Sequence, residues 1–259
     1  MTVTQKHAEW ISLLDISGPF LAVPVLEDTF PQGLDKVETP FRQRLRSAYD
    51  EWSEAVDETA PDVDPIHQEW MRLVLRDFLE YEASVLKSGD DIPPALQHHD
   101  ALSGVSIRPD FAVMAGDKAK LLVSVTPPGT ELENPPSSDS WLASPAERLI
   151  ALCRARGVPL GLLTNGDQWM LISAPAEGSS SCASWYARLW FQEPVTLQAF
   201  YSLLGVRRCF GEATQTLDAL IENAIGYSPT NSTIGIAVSE GTIRVTDEGS
   251  GLEPGEEEA

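Results

Sequence analysis

Residues 108–129 read Arg108-Pro109-Asp110-Phe111-Ala112-Val113-Met114, a short turn around Gly116-Asp117, then Leu121-Leu122-Val123-Ser124-Val125-Thr126-Pro127-Pro128-Gly129. Apolar runs on either side of a Gly-containing turn predict a β-hairpin, with strands over 111–114 and 120–126. Side chains alternate along a strand, so positions 124 and 126 share one face. Asp110 stands at the start of the first strand.

That geometry suits a metal-dependent phosphodiesterase, with two of the three residues it needs absent. Such a site takes an Asp on one strand and, on the next, an acid and a Lys one residue apart. The carboxylates hold a hard divalent cation such as Mg2+, and the cation offsets phosphate charge. Asp110 is present, but Ser124 stands where the acid belongs and Thr126 where the Lys belongs. Hydroxyls are neutral and bind Mg2+ weakly, and neither supplies a positive charge. Lys118 or Lys120 with Glu131 and Glu133 would be the parts of a displaced site, although both acids lie in a Pro-rich loop.

Outward from the hairpin, residues 65–87 predict a helix, with Trp70, Val74, Phe78, Tyr81 and Val85 at helical spacing. Glu80 and Glu82 fall on it. Both read as solvated helix residues; of the two, Glu82 continues the Met71, Leu75, Phe78 row and is the better candidate to face inward. Residues 41–58 also read as helical, and residues 90–107 as a loop. Beyond the hairpin, 127–140 reads as a polar loop free to move. Ser144, Pro145 and Glu147 then form a capping-box start to a helix ending at Gly157. Strands are expected at 159–163 and 168–173 around Asn165-Gly166, with an aromatic strand at 185–191 and helices near 196–205 and 213–225.

These elements predict an α/β (α+β) fold, a mixed sheet with a crossover helix behind a helical N-terminal region. The divisions expected are an irregular and helical region over 1–64, a sheet domain over 65–227 and an acidic tail over 228–259. The tail reads as disordered, with seven acids against Arg244 alone over 240–259 and a lone strand at 242–245 as the exception.

Composition narrows the partners. The chain has 259 residues, 18 Lys and Arg against 39 Asp and Glu, and a net charge of −21. That field repels phosphate, so the chain by itself is a poor DNA binder. Arg42, Arg44 and Arg46, with Arg207 and Arg208, are local basic spots that read as ion-paired or solvated. Cys153, Cys182 and Cys209 show no paired spacing and read as reduced thiols of a cytoplasmic protein. No apolar run reaches the length of about 18 residues that a membrane span needs, and the N-terminus carries no secretory signal. His98-His99-Asp100 reads as a solvated loop, because adjacent residues diverge. The serines lack the Gly-x-Ser-x-Gly elbow of an esterase. Trp169, Trp185, Tyr186 and Trp190 suit a sheet core better than base stacking.

The order Pro-Asp-Phe, apolar strand with Pro-Pro-Gly, Ser-Pro-Ala-Glu-Arg helix, then Leu163-Thr164-Asn165-Gly166-Asp167-Gln168-Trp169-Met170-Leu171 resembles the N-terminal region of large DNA methylases. These are the type IIG restriction-modification enzymes and the BREX- and DISARM-type phage-defence methylases. The resemblance covers roughly residues 65–225. It implies a PD-(D/E)xK, restriction-endonuclease-like fold, Asp110 as the remnant of a metal-binding catalytic site, and Glu80 or Glu82, the latter the better candidate, as its helical carboxylate. It also implies methyltransferase and target-recognition domains or subunits as partners, with DNA bound only in their company. The substitutions at 124 and 126 depart from the family pattern. No Asn-Pro-Pro-Tyr-type tetrapeptide is present to grip a flipped base, and Asn134-Pro135-Pro136-Ser137 reads as a plain turn. The expectation is a degenerate, non-catalytic nuclease module without cofactor, structural or regulatory in role and a fragment of a longer protein. The alternatives are a Mg2+-dependent endonuclease with displaced residues and an acidic DNA mimic or inhibitor.

Overall fold

The computed structural model describes residues 3–18, 23–100, 104–136, 141–210, 216–217, 219–222, 235–239 and 242–246. In chain order the elements are helix α1 (Val3–Ile11), strand β1 (Asp15–Ser17), helices α2 (Val23–Thr29), α3 (Thr39–Asp57) and α4 (Val63–Arg72), then β2 (Leu86–Ser88). Two short strands follow, β3 (His98–His99) and β4 (Ser106–Ile107), before the hairpin of β5 (Phe111–Ala115) and β6 (Lys118–Val125). Helix α5 (Pro145–Arg156) leads to β7 (Leu160–Thr164), β8 (Gln168–Ser173) and β9 (Ser181–Tyr186), then helices α6 (Pro194–Leu204) and α7 (Val206–Phe210). Strands β10 (Gly235–Ser239) and β11 (Thr242–Thr246) pair separately.

Seven strands form one sheet in the order β1-β9-β8-β7-β6-β5-β2. Every neighbouring pair is antiparallel except β6 and β7. A parallel pair cannot be closed by a tight turn, and α5 supplies the crossover. The result is a mixed α/β fold with a mostly antiparallel sheet. Ser144 starts α5 as its residues predict: its hydroxyl accepts from the Glu147 N–H and the Glu147 carboxylate accepts from the Ser144 N–H. Gly157 ends the helix at φ +65°.

The alternation of the strands divides the core. On one face, Phe111, Val113, Leu121, Val123, Trp169 and Trp185 pack with Trp10, Trp52, Trp70, Phe78 and Phe200 of the helices. On the other, Ala112, Met114, Leu122, Leu163, Met170 and Ile172 meet Leu149, Leu152 and Cys153 of α5. Trp169 and Trp185 of the strands are fully buried, as is Trp190 beyond them, whereas Tyr186 is half-buried with its hydroxyl on Asp15. Side chains from the described part of the first 64 residues belong to this core. Trp10, Leu26, Leu45 and Trp52 belong to the larger cluster, and β1 extends the sheet along β9.

Four expectations are corrected. The helix expected to reach residue 87 ends at Phe78 after a π-helical turn, Leu73–Phe78. Leu79 N–H donates to Val74 O and Tyr81 N–H to Leu75 O, which closes the turn, and Glu80 takes a left-handed φ of +62°. Tyr81 and Leu86 continue the apolar pattern because they are buried, Tyr81 under α6 and Leu86 on strand β2. The aromatic strand begins earlier and stops at Tyr186, after which 187–189 form a 3-10 turn that carries Trp190 into the core. The described part of the loop after β6, residues 127–136, is anchored: Leu132 is 1% exposed, its carbonyl accepts from Ala146 N–H, and Asn165 Nδ2 donates to Thr130 O. In the tail, the strand at 242–246 has a partner, 235–239.

The rest of 228–259, residues 137–140 of the loop and most of the helix expected at 213–225 lie outside the described residues. Among the described residues no helix is long and apolar enough to cross a membrane.

Candidate functional site

Pro109 ends the preceding segment and Asp110 enters β5. Its backbone N–H donates to Val123 O at 2.8 Å, and its Oδ2 accepts from Val125 N–H at 2.7 Å. The register pairs Phe111 with Val123 and Ala112 with Leu122, so Asp110 comes opposite Ser124. Ala112, Met114 and Leu122 face α5, and by alternation Asp110, Ser124 and Thr126 share that face. The hairpin therefore brings the three positions together as its spacing predicts.

The side chains of Asp110 and Thr126 are already hydrogen-bonded within the sheet. The Asp110 carboxylate accepts a β6 N–H beyond the Phe111–Val123 pair. The residue is exposed overall, but the carboxyl lies back against β6. Lost hydration there pushes its pKa up, while the N–H groups of Val125 and of Asp110 itself pull the other way. Thr126 spends its hydroxyl on Thr164 O at 3.2 Å, and its N–H donates to the same carbonyl at 2.8 Å. No group of three His, Cys, Asp or Glu side chains among the described residues could hold a metal ion.

The helical carboxylate is not delivered. Because the helix stops at Phe78, Glu82 lies in the following turn, exposed, with Ser84 as its neighbour at 3.4 Å. Glu80 accepts from Tyr201 OH at 2.8 Å, a contact that pushes the phenol further up, to about 12, after burial. A displaced Lys is also out of reach. Lys120 precedes Ser124 by four residues and Lys118 by six, about 13 and 20 Å along an extended strand. Glu131 accepts from Asn134, and Glu133 lies with Ser17, Ser144 and Cys182 towards the β9 side of the sheet.

The other constellations have structural roles. His98 and His99 sit on β3, where alternation turns them apart: Arg156 approaches His98, and His99 meets Ser106. Arg44 pairs with Asp77 at 2.7 Å and Arg46 with Asp50 at 3.7 Å. Arg208 donates to Ser202 O and lies 4.5 Å over the Phe30 ring. The three cysteines are free thiols, and burial pushes Cys153 up to about 12.

Two groups beside the hairpin's end have no forerunner in the sequence reading. Gly166 O accepts from the indoles of both Trp70 (2.8 Å) and Trp169 (3.1 Å). His67 is buried between Trp52 and the Thr126 carbonyl. One signal was available for His67: with Trp70, Met71 and Val74 it completes an i, i+3, i+4, i+7 row. No family model, curated protein or solved structure matches the chain.

Proposed function

We propose that the chain is a non-catalytic, restriction-endonuclease-like module of a restriction-modification or phage-defence DNA methylase, structural or regulatory in role. One observation carries this reading. Asp110 stands opposite Ser124, a hydroxyl and not an acid, at the end of the hairpin; the Thr126 hydroxyl is spent on Thr164 O, and among the described residues no group of three His, Cys, Asp or Glu could hold a metal ion. The strand order supports the ancestry: β2, β5 and β6 run antiparallel, and α5 crosses to the parallel β7. The net charge of −21 fits a module that meets DNA only beside partner methyltransferase and target-recognition domains or subunits.

The test uses the purified chain with supercoiled plasmid and Mg2+ or Mn2+. The expected outcome is intact plasmid and no heat of cation binding. The double variant S124E/T126K, which rebuilds the acid and the Lys, is expected to acquire Mn2+ binding in the micromolar-to-millimolar range typical of such sites. Cleavage by the unaltered chain that disappears in D110A overturns the non-catalytic reading. A folded S124E/T126K variant that still ignores Mn2+ overturns the nuclease ancestry.

A further inference from the structure

His67, on α4, is 4% exposed and uses both ring nitrogens. Nδ1 accepts from the indole Nε1 of Trp52, on α3, at 3.0 Å. An indole N–H can only donate, so Nδ1 carries the lone pair and the proton sits on Nε2. Nε2 then donates to the Thr126 carbonyl, just past the end of β6, at 3.0 Å. One neutral ring thus ties two helices to the end of a central strand.

A second proton can enter only at Nδ1, where it would face the indole N–H, donor against donor, in a buried site. Trp52 has little room to turn away, since its ring abuts Gly166 so closely that a Cβ there would lie 2.3 Å from it. Asp64, on the same helix, is a charged group whose field favours the protonated ring. From α3 comes Trp52, with the neighbouring Tyr49 bonded to Asp167, and from the strand end only the Thr126 backbone. We propose that His67 is a proton-operated latch: its protonation releases the α3–α4 helix pair from the end of β6.

The sign follows from the burial. Burial moves the ring's pKa below its ordinary 6.5, and Asp64 and the Thr126 carbonyl offset this in part. Above pH 6.5 neither latched nor released form carries the extra proton. Below it the released form binds one more, so release gains about tenfold per pH unit until the latched ring also titrates. His7, which accepts from Trp10 Nε1 at 3.1 Å, is a second buried imidazole, but it serves α1 and not this helix pair.

Amide exchange, corrected for intrinsic rate, separates the two across pH 8 to 5. Protection over residues 45–72 is expected to fall about tenfold per pH unit below 6.5, ahead of β7 and β8. In H67Q, whose side-chain amide can accept from Trp52 and donate to Thr126, that dependence is expected to vanish. The same fall in H67Q overturns the latch. Should H67Q not fold, the imidazole nitrogen resonances of the unaltered protein decide. An Nε2–H tautomer whose protonation coincides with loss of the Trp52 indole hydrogen bond supports the proposal. A His67 that titrates at or above 6.5 with that bond intact overturns it.

Discussion

Gly166 shows how one residue can hold several elements. Its φ is +100°, its carbonyl takes two indole hydrogen bonds, and its α-carbon lies under the Trp52 ring. Any side chain must both adopt a backbone conformation disfavoured for L-residues and displace an aromatic ring. G166A is therefore expected to lower stability by about 2–4 kcal/mol, combining the left-handed backbone cost with core overpacking, as read from a urea midpoint at unchanged slope. The Asn165-Gly166 turn was legible in the sequence because its chemistry is local, and Asn165 Oδ1 does accept from the N–H groups of Asp167 and Gln168. The indole contacts were not, since Trp70 comes from a helix 96 residues away.

At the scale of the element, α5 is the piece whose ends its own residues specify. The capping box and the left-handed Gly157 satisfy backbone groups with neighbours three or four residues away. S144A is expected to cost about 1 kcal/mol, seen as a lowered thermal midpoint with the fold retained. Helix α4 is the opposite case. The apolar pattern runs past the helix end through Tyr81 and Leu86 because burial, not helicity, sets it. Tyr81 is held by its hydroxyl on Leu204 O at 2.6 Å, a contact that periodicity cannot reveal. The helix stop also decides the site, because it leaves Glu82 in an exposed turn.

Across the whole molecule, the N-terminal segment is part of the core. Trp10 is fully buried in the larger cluster, and β1 covers the β9 edge. W10A is expected to destabilise the entire sheet by about 3–5 kcal/mol. Urea unfolding followed by far-ultraviolet circular dichroism should shift as one transition. A separate early transition, with the sheet unmoved, would mark residues 1–17 as an appendage.

By itself the sequence determined the hairpin around Asp110, the capped crossover helix, the Asn-Gly turn and the burial of the strand tryptophans. Each rests on short-range hydrogen bonding or on the two-residue alternation of a strand, which a linear reading can see. Only the tertiary structure decided that the N-terminal region shares the core, that Glu82 misses the hairpin, that Thr126 is consumed by Thr164, and that His67 joins helix to strand. Those outcomes depend on which distant groups satisfy buried donors and acceptors, and that pairing exists only once the chain has closed on itself.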